Sequence, residues 1–395
     1  MKDFLKRTWA EIHLDRLVHN FQAIRSTLTP GCRIMAVVKA DAYGHGAAQA
    51  AKALQEAGAD WFGVSNLEEA VQLRRAGIQA PILILSYTPP EEVPRLAEFA
   101  VTQAVLSLEH AQEISAAAAA AGVTVRIHLK VDTGMSRVGF FYHVDSDRPA
   151  VLAQMAAACR LPALEAEGIF THFASADEPD DGGFTAQQFA LFAEAIRLLE
   201  EQGIHFVLRH CCNSAATMRF PAMHLDMVRP GIILYGLAPD HWLEELLPLQ
   251  PVMELKTTVS LVKTVPAGTP VSYGRIYTSP TDVTAATVPI GYADGYPRRL
   301  SNRAHMLIGG QRVLVIGRVC MDQCMLDVTG LPVREGMVAT VFGQDGDARL
   351  PVEELAAQLD TIQYEIICQI SKRVPRLFVD NGQVVGQLNY IVAET

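Results

Sequence analysis

The sequence lacks an apolar run long enough to cross a membrane without charged residues in it. Its first fifteen residues, MKDFLKRTWAEIHLD, carry positive charges but no apolar core of secretory length. Basic residues are in deficit, because 33 lysines and arginines face 43 aspartates and glutamates and leave a net charge of −10. These absences argue against a general membrane or nucleic-acid partner and favour a cytoplasmic protein that binds a small molecule.

A disulfide framework, internal repeats and low-complexity linkers are also lacking. The seven cysteines are an odd number at scattered positions, which fits reduced thiols better than paired ones. Cys211 and Cys212 are adjacent but no second ligand pair follows them, so we predict no metal site. With 395 residues, of which 50% are hydrophobic and 19% charged, the chain is long enough for two globular domains.

Short apolar strands alternate with helical stretches from Ile34–Val38 to Leu225–Val228. The eight predicted strands indicate a (β/α)₈ TIM-type barrel over residues 15–240. A doubly wound open sheet is the alternative, because periodicity does not show whether a sheet closes. Beyond residue 240 prolines fall among Val- and Thr-rich runs, and HMLIGGQRVLVIGRV predicts a hairpin turning at Gly309–Gly310. We therefore predict a mostly β C-terminal domain over residues 241–395.

The stretch RIMAVVKADAYGHG, residues 33–46, delivers one lysine at the end of an apolar run. Ile34–Val38 is typical of a buried parallel strand, where an ammonium group is costly unless it is neutralised. Burial would lower the pKa of Lys39 and make it a nucleophile able to form a Schiff base. A strand-end lysine whose head reaches water is the alternative. Tyr43 and the glycines after it suit an anion held by hydroxyl and backbone N–H groups.

The motif AVVKADAYGHG resembles the cofactor-lysine motif of the alanine racemases, which are pyridoxal-phosphate enzymes with a barrel and a β domain. Similar segments extend from near residue 8 to near residue 380, so the resemblance covers nearly the whole chain. It implies that the N-terminal strand, within residues 1–14, joins the C-terminal β domain. It also implies that Lys39 holds pyridoxal 5′-phosphate as an aldimine.

The remaining candidates fall at the carboxyl ends of predicted strands, where barrel enzymes collect their chemistry. HCCNSA and RPGIILYG supply a capping hydroxyl, a helix start and a glycine turn that suit a phosphate, although a plain N-cap and a plain turn explain them equally well. The tyrosine of QYEIIC would by itself be a packed helix residue. By resemblance the phosphate cradle comprises Tyr43, Asn213, Ser214, Gly231, Ile232 and Tyr364.

Two further positions resemble the family's contacts to the cofactor ring. His172 of THFASAD corresponds to the residue that faces the pyridine ring, although a strand-end histidine is often only structural. Arg229 corresponds to the residue that binds the pyridine nitrogen. His210 would contact this arginine without touching the cofactor. Because arginine always holds its proton, the ring nitrogen would stay unprotonated and the cofactor would be a weaker electron sink.

Three segments resemble the family's substrate contacts. In HLKVDTGMSRVG, Arg137 suits an amino-acid carboxylate through a charge-assisted fork. Lys130 of the same segment matches a lysine that some members carbamylate to position that arginine, and a simple ion pair is the alternative. IGYADGYPRR and RVCMDQCM offer Tyr292 as an entrance residue and Met321 as a backbone contact to the substrate carboxylate.

The segment VSYGRIYT places Tyr273 on a β segment, where a strand aromatic is the ordinary interpretation. By resemblance it faces the cofactor lysine across the substrate α-carbon. A tyrosine's ordinary pKa is about 10, so positive neighbours must lower it, and His172 and Arg229 are the candidates. The resemblance implies a two-base alanine racemase in which Lys39 serves D-alanine and Tyr273 serves L-alanine. It also implies a head-to-tail homodimer with composite sites that supplies D-alanine for peptidoglycan.

Three rival functions share parts of this pattern. A decarboxylase of the same fold would carry a cysteine where this chain has the tyrosine of SYG. A non-enzymic cofactor-binding barrel would leave about 150 residues without a purpose. A serine or broad-specificity racemase fits the same motifs, but the missing export signal and the small pocket implied by Tyr292 and Tyr364 favour alanine.

Overall fold

The structure is a computed structural model that describes residues 5–392. The ends of the predicted β domain, residues 1–4 and 393–395, lie outside this range. The chain forms two compact units. The barrel unit comprises Leu17–Ala42 and Ala47–Gln250, and within the described range the β unit comprises 5–16, Tyr43–Gly46 and 251–392.

Eight parallel strands make the barrel, and the first seven pair in chain order, each with its successor. Strand eight pairs back onto strand one through Met227 and Arg33. Two backbone bonds bridge strands seven and eight, from Asp226 N–H to the Arg209 oxygen at 3.1 Å and from Arg229 N–H to the Cys212 oxygen at 2.9 Å. The predicted barrel is therefore confirmed against the open sheet. Numbered one to eight, the strands are Arg33–Val37, Trp61–Val64, Ile82–Ile84, Val101–Val105, Val125–Asp132, Leu164–Phe170, Leu208–His210 and Met227–Val228.

Side chains fill the barrel interior, as they do in barrels of this size. Seven of the eight strands each contribute one residue to a buried apolar cluster, namely Met35, Trp61, Leu83, Ala104, Phe170, Leu208 and Met227. Strand five instead contributes a histidine, His128, whose ring centroid lies 5.3 Å from that of Trp61. A polar ring in the middle of an apolar interior needs polar partners, and these lead to the candidate site below.

Helices alternate with the barrel strands, and their ends follow familiar rules. In Leu108–Ala121, the Ser107 hydroxyl accepts from the N–H of His110, and Gly122 ends the helix with a φ of 67°. The alanine run at residues 116–121 lies in this helix. No helix in residues 5–392 is both long enough and apolar enough to cross a membrane. The other helices up to residue 219 are Leu14–Thr27, Ala47–Glu56, Leu67–Arg75, Val93–Glu98, Arg148–Cys159, Phe184–Glu200 and Ser214–Arg219.

Strand seven begins only at Leu208, although the segment HFVL at residues 205–208 is typical of a strand. The reason is that Val207 is 67% exposed and contributes only a backbone bond, from its N–H to the Glu167 oxygen. The apolar run therefore predicts a strand start that is too early. The shift places His210 on the strand itself.

The β unit is built around an eleven-stranded sheet. The N-terminal strand Thr8–His13 lies between Met253–Thr258, antiparallel, and Arg376–Asp380, parallel. The predicted hairpin is confirmed, because His305–Ile308 pairs with Gln311–Ile316 around two glycines of positive φ. The other strands are Leu261–Val265, Pro270–Val271, Tyr277–Thr278, Val283–Val288, Cys324–Asp327, Val338–Asp345, Ala348–Leu350 and Gln383–Leu388, and the helices are Val352–Leu359 and Gln363–Cys368.

Candidate active site

The lysine that ends the apolar run is not buried. Ile34–Val38 is buried as predicted, but strand one ends at Val37 and Lys39 lies exposed beyond it. The expectation that burial activates this amine is therefore wrong, and the alternative of a lysine head that reaches water is correct. The charge of Lys39 nevertheless acts inside the barrel unit, because it is among those that lower the pKa of His172.

The backbone after Lys39 is strained. Residues 40–43 all adopt the left-handed conformation, with φ between 52° and 55°, which costs an L-residue roughly 1–2 kcal/mol. Two side-chain bonds within the barrel unit support the turn: Ala40 N–H donates to Glu69 at 2.8 Å, and Asp41 accepts from Ala47 N–H at 2.8 Å. Strained backbone without glycine is characteristic of functional sites, where the surroundings hold it in place.

Arg229, which follows strand eight, is 4% exposed. Its NH1 donates to His210 Nδ1 at 3.0 Å, and its NH2 donates to the carbonyl oxygens of Thr171 and Cys211 at 2.8 and 3.0 Å. His172 Nδ1 lies 3.3 Å from NH2. Burial lowers the pKa of Arg229 to about 10, so the guanidinium stays charged at neutral pH. Its Nε–H has no acceptor in the described part of the chain and remains available to a ligand.

A chain of two histidines continues from Arg229 into the barrel. His210 Nδ1 accepts from the arginine, so its proton must sit on Nε2, which lies 2.9 Å from His128 Nδ1. That nitrogen accepts in turn, so His128 Nε2 carries its proton and faces Glu167 at 3.7 Å. Burial lowers the pKa of both histidines, and Arg229 lowers that of His210 further. Both rings are therefore neutral at neutral pH, with tautomers fixed by the arginine.

His128 and Glu167 were missed by the sequence analysis, which stopped at His210. A signal was present, because His128 and Lys130 are two residues apart on strand five and so share one face of it. Gly168 on strand six also belongs to this arrangement. A Cβ atom at residue 168 would lie 2.6 Å from His128 Cε1, so only glycine leaves room for the ring.

Lys130 is 4% exposed and sits beside an aromatic ring. Its Nζ lies 5.0 Å from the centroid of Phe170, which also has Arg229 Cζ at 5.5 Å and stacks on His210 at 4.9 Å. Among residues 5–392 no carboxylate lies within ion-pair distance of Lys130. Burial and the charges of Arg229 and Arg137 lower its pKa well below the ordinary value, against the opposing effect of Asp132.

The turn that carries Arg137 is wrapped around a carboxylate. Asp132 accepts from the N–H groups of Gly134 and Ser136 at 3.0 Å each, and from that of Arg137 at 2.8 Å. Burial raises the pKa of Asp132, but these three bonds and Lys130 outweigh it and lower the pKa overall. Asp132 was not singled out from the sequence. The turn it holds leaves the Arg137 side chain exposed, where it suits a ligand carboxylate.

Two turns at the carboxyl end of the barrel are joined by one hydroxyl. Asn213 caps the helix Ser214–Arg219 by accepting from an N–H of its first turn at 3.0 Å. The Ser214 hydroxyl accepts from Gly231 N–H at 2.9 Å, which ties the helix start to the turn after strand eight. The N–H groups of Ser214, Ala215 and Ile232 have no acceptor within residues 5–392. Unused donors at adjoining turns suit a phosphate.

His172 does not supply positive charge. Burial, Arg229 and Lys130 lower its pKa well below the ordinary value, so the ring is neutral at neutral pH. The expectation that His172 helps to lower a tyrosine pKa is therefore wrong for this residue. Its position is fixed from behind by Gln188, whose amide donates to the His172 carbonyl at 3.2 Å.

In the β unit, the structure brings together two predicted members of the phosphate cradle. The ring centroids of Tyr43 and Tyr364 lie 6.2 Å apart. Tyr364 belongs to the helix Gln363–Cys368, whose end packs closely on the turn that follows Tyr43. A Cβ atom at residue 44 would lie 2.4 Å from the Ile367 oxygen, so the approach requires glycine there.

Tyr273 is 70% exposed and lies on a short 3₁₀ turn, Tyr273–Arg275, rather than on the predicted β segment. The reason is the backbone around it, because Ser272 and Gly274 have φ values of 64° and 68°. The flanking residues form only a two-stranded ladder, Pro270–Val271 with Tyr277–Thr278.

Tyr292 and Met321, the two predicted substrate contacts of the β unit, lie on adjacent segments. Tyr292 N–H donates to the Cys320 oxygen at 3.1 Å, and the next N–H donates to the Met321 oxygen at 3.0 Å. A Cβ atom at residue 291 would lie 2.3 Å from the Cys320 oxygen, so Gly291 makes this contact possible. Buried Asp294 anchors the same turn: its carboxylate accepts from Gly291 N–H and accepts a bidentate pair of hydrogen bonds from the Arg7 guanidinium.

The candidate residues thus divide between the units. The barrel unit holds Lys39, Lys130, Arg137, His172, His210, Asn213, Ser214, Arg229, Gly231 and Ile232, and the β unit holds Tyr43, Tyr273, Tyr292, Met321 and Tyr364.

Two family profiles together match most of the chain. The profile described as "Alanine racemase, N-terminal domain" matches residues 12–239, and the one described as "Alanine racemase, C-terminal domain" matches residues 252–378. The chain is similar to an alanine racemase of Desulforamulus reducens, with 48% identity over 377 residues, covering 94% of this chain and 98% of that one. An alanine racemase of Desulfovibrio desulfuricans is 46% identical over 380 residues, covering 96% and 100%.

Solved structures of the same kind superpose on the chain. An alanine racemase of Clostridium difficile 630 gives a TM-score of 0.92 at 38% identity, covering 99% of this chain and 100% of that one. The alanine racemase of Bacillus anthracis with bound L-Ala-P gives a TM-score of 0.91 at 39% identity, covering 98% and 99%.

Proposed function

Because the chain belongs to the alanine racemase family, we propose that it interconverts L-alanine and D-alanine with pyridoxal 5′-phosphate as its cofactor. The observation that carries this proposal is the buried Arg229, whose Nε–H is left for a ligand while its two terminal nitrogens face neutral histidines and backbone carbonyls. An arginine with a free N–H fits a pyridine nitrogen that accepts a hydrogen bond without taking a proton.

The residues present fit the cofactor by their chemistry. Lys39 would hold the aldehyde, Arg229 the ring nitrogen, and neutral His172 the face of the ring. Ser214 and its neighbouring N–H groups provide donors for the phosphate. When bound, pyridoxal phosphate supplies an electron sink that makes the α-proton of an attached amino acid removable. The phosphate contacts we propose are Tyr43, Asn213, Ser214, Gly231, Ile232 and Tyr364.

Racemisation needs a group on each face of the α-carbon, one to remove the proton and one to return it. We assign Lys39 to D-alanine and the partner subunit's Tyr273 to L-alanine. The 70% exposure of Tyr273 supports its access to a second copy of the chain. A head-to-tail homodimer with two composite sites follows from this assignment.

Arg137 and the backbone of Met321 would hold the substrate carboxylate, with Tyr292 at the entrance. The pKa of Lys130 is lowered by burial and by two arginines, so its neutral amine can add to carbon dioxide, forming an N–C bond and releasing a proton. The resulting carbamate would place a negative charge between cations and orient Arg137. Bicarbonate labelled with ¹³C tests this step, because a carbamate resonance should appear and should be missing in Lys130→Ala.

The two predicted domains acquire roles in this scheme. We propose that the barrel, residues 15–240, binds the cofactor, and that residues 241–395 with the N-terminal strand in 1–14 supply Tyr273, Tyr292 and Met321. We further propose a cytoplasmic enzyme without nucleic-acid or membrane partners that provides D-alanine for peptidoglycan. No disulfide bond occurs within residues 5–392, which supports a reducing compartment.

The test incubates the purified protein with pyridoxal phosphate and L-alanine in deuterated water. Chirality is followed by chiral chromatography and the α-proton by NMR. We expect loss of chirality together with deuterium uptake and no carbon dioxide. Retained chirality with a retained α-proton would overturn alanine as the substrate, and release of carbon dioxide would show a decarboxylase instead. Parallel incubations with serine, lysine and arginine measure how far specificity extends.

A further inference from the structure

The residue before Tyr273 has an unusual backbone. Ser272 has φ 64° and ψ −175°, a region that glycine enters readily and residues with a Cβ atom rarely adopt. Glycine would therefore meet the backbone requirement of this turn without strain. A serine at such a position calls for a use of its side chain.

The Ser272 hydroxyl has such a use. It donates to the carbonyl oxygen of Arg318 at 2.7 Å, and Cys320 Sγ lies 3.4 Å from Ser272 Oγ. The neighbouring chain also fits against Ser272 without spare room. A Cβ atom at residue 317 would lie 2.9 Å from Ser272 Cβ and 2.8 Å from the Val271 oxygen, so Gly317 permits the approach. The segment Gly317–Cys320 thus supports the strained residue from one side.

Tyr273 has no comparable support of its own. Its side chain is 70% exposed and makes no hydrogen bond within residues 5–392. The ladder beneath the turn contains only the pairs Pro270 with Thr278 and Val271 with Tyr277. The direction of the phenol therefore depends on the backbone at Ser272.

We propose that Ser272 is a positioning residue for the tyrosine base: its hydroxyl ties the Tyr273 turn to the Arg318 carbonyl and fixes the direction of the phenol. The proposal rests on the proposed function, in which Tyr273 handles the α-proton of L-alanine. Loss of the hydroxyl should therefore slow α-proton exchange from L-alanine selectively. D-alanine exchange through Lys39 needs no contribution from this turn.

The experiment measures α-proton exchange in deuterated water separately from L-alanine and from D-alanine, in Ser272→Ala and Ser272→Gly. We expect exchange from L-alanine to fall roughly tenfold, as loss of one hydrogen bond implies, while exchange from D-alanine changes by less than about twofold. Racemisation should fall equally in both directions because both directions use the tyrosine. Ser272→Gly removes the backbone strain and so guards against a variant that fails to fold.

Ser260→Ala is the matched control, because the Ser260 hydroxyl also donates to a backbone carbonyl, that of Thr287 at 3.0 Å, within the same unit. It should leave both exchange rates unchanged. Equal loss from both enantiomers in the Ser272 variants, or no loss from either, would refute the positioning role. In fluorotyrosine-labelled protein, the ¹⁹F signal of Tyr273, assigned by Tyr273→Phe, should shift or broaden in both Ser272 variants and stay fixed in the control. This spectrum tests whether the Ser272 hydroxyl fixes the Tyr273 side chain, even if the wild-type protein does not racemise alanine. Absence of racemisation would count against the proposed function alone.

Discussion

His128→Phe should weaken cofactor binding although His128 lies two hydrogen bonds away from the atom that would touch the cofactor. The substitution keeps an aromatic ring on strand five but removes the nitrogen that accepts from His210. Two arrangements then remain. Either His210 keeps its tautomer and its Nε2–H loses its acceptor, or the proton moves to Nδ1 and the Arg229 donor loses its acceptor instead.

The first arrangement leaves one buried donor unsatisfied, at a cost of about 1–3 kcal/mol, and the second leaves two, because the His210 Nδ1–H and an Arg229 NH1–H then face each other. The barrel unit should lose stability of that order, or roughly 2–4 °C in the unfolding midpoint per kcal/mol. If about half of the penalty falls on the orientation of Arg229, cofactor affinity should fall roughly two- to tenfold, since 1.4 kcal/mol corresponds to a factor of ten. Thermal unfolding of the apoprotein and titration with pyridoxal phosphate measure the two quantities separately.

His110→Phe is the matched control for this prediction. His110 is buried in the same unit and makes one bond, to the Thr88 carbonyl at 3.2 Å, without contact to Arg229. It should lower stability by a similar amount and leave cofactor affinity unchanged. Equal weakening of cofactor binding in the two variants, or intact binding in His128→Phe, would contradict this prediction.

Three further predictions concern Lys39, Asp294 and the buried histidines. Lys39→Ala should abolish exchange from both enantiomers and weaken cofactor binding in a spectrophotometric titration, whereas Lys52→Ala, an exposed lysine on a barrel helix, should change neither. Asp294→Asn should destabilise the β unit by about 3 kcal/mol, because it leaves two arginines facing a buried neutral amide; an unchanged denaturation midpoint would contradict this. Histidines whose pKa is lowered on folding, as at His172 and His210, make unfolding easier as pH falls below about 6.5, by up to about 1.4 kcal/mol per pH unit each. Stability should therefore reach a plateau above that pH, and denaturant titrations from pH 5 to 8 would show a flat profile if the rings are not buried neutral.

The barrel was predictable because its strands are continuous apolar runs separated by helices with clear ends, such as Ser107 and Gly122 around Leu108–Ala121. Strand bounds were less predictable. Val207 is apolar but 67% exposed, and no feature of its sequence distinguishes it from its buried neighbours. The distinction arises only when strand six and strand seven are paired.

Site residues that lie in sequence motifs were predictable, whereas residues that only the fold brings together were not. Arg229 and Lys39 lie in recognisable segments. The predicted burial of Lys39 was nevertheless wrong, because the strand ends two residues before it and a left-handed turn follows. His128 and Glu167 come from different strands, so no spacing along the chain relates them. Asp132 and Ser272 act through backbone groups, and such contacts depend on φ and ψ rather than on residue type.

The pairing of the N-terminal strand also dictates an order of events during synthesis. Ala10 pairs with Arg376, which leaves the ribosome more than 360 residues later, or roughly 20–70 s at ordinary elongation rates. One edge of Thr8–His13 gains its neighbour Met253–Thr258 only after all eight barrel strands have emerged, and the other edge waits longer still, for Arg376–Asp380. The barrel is therefore able to fold during translation, whereas the β unit must wait for the last strands of the chain and is the part most exposed to misassembly or chaperone capture before release.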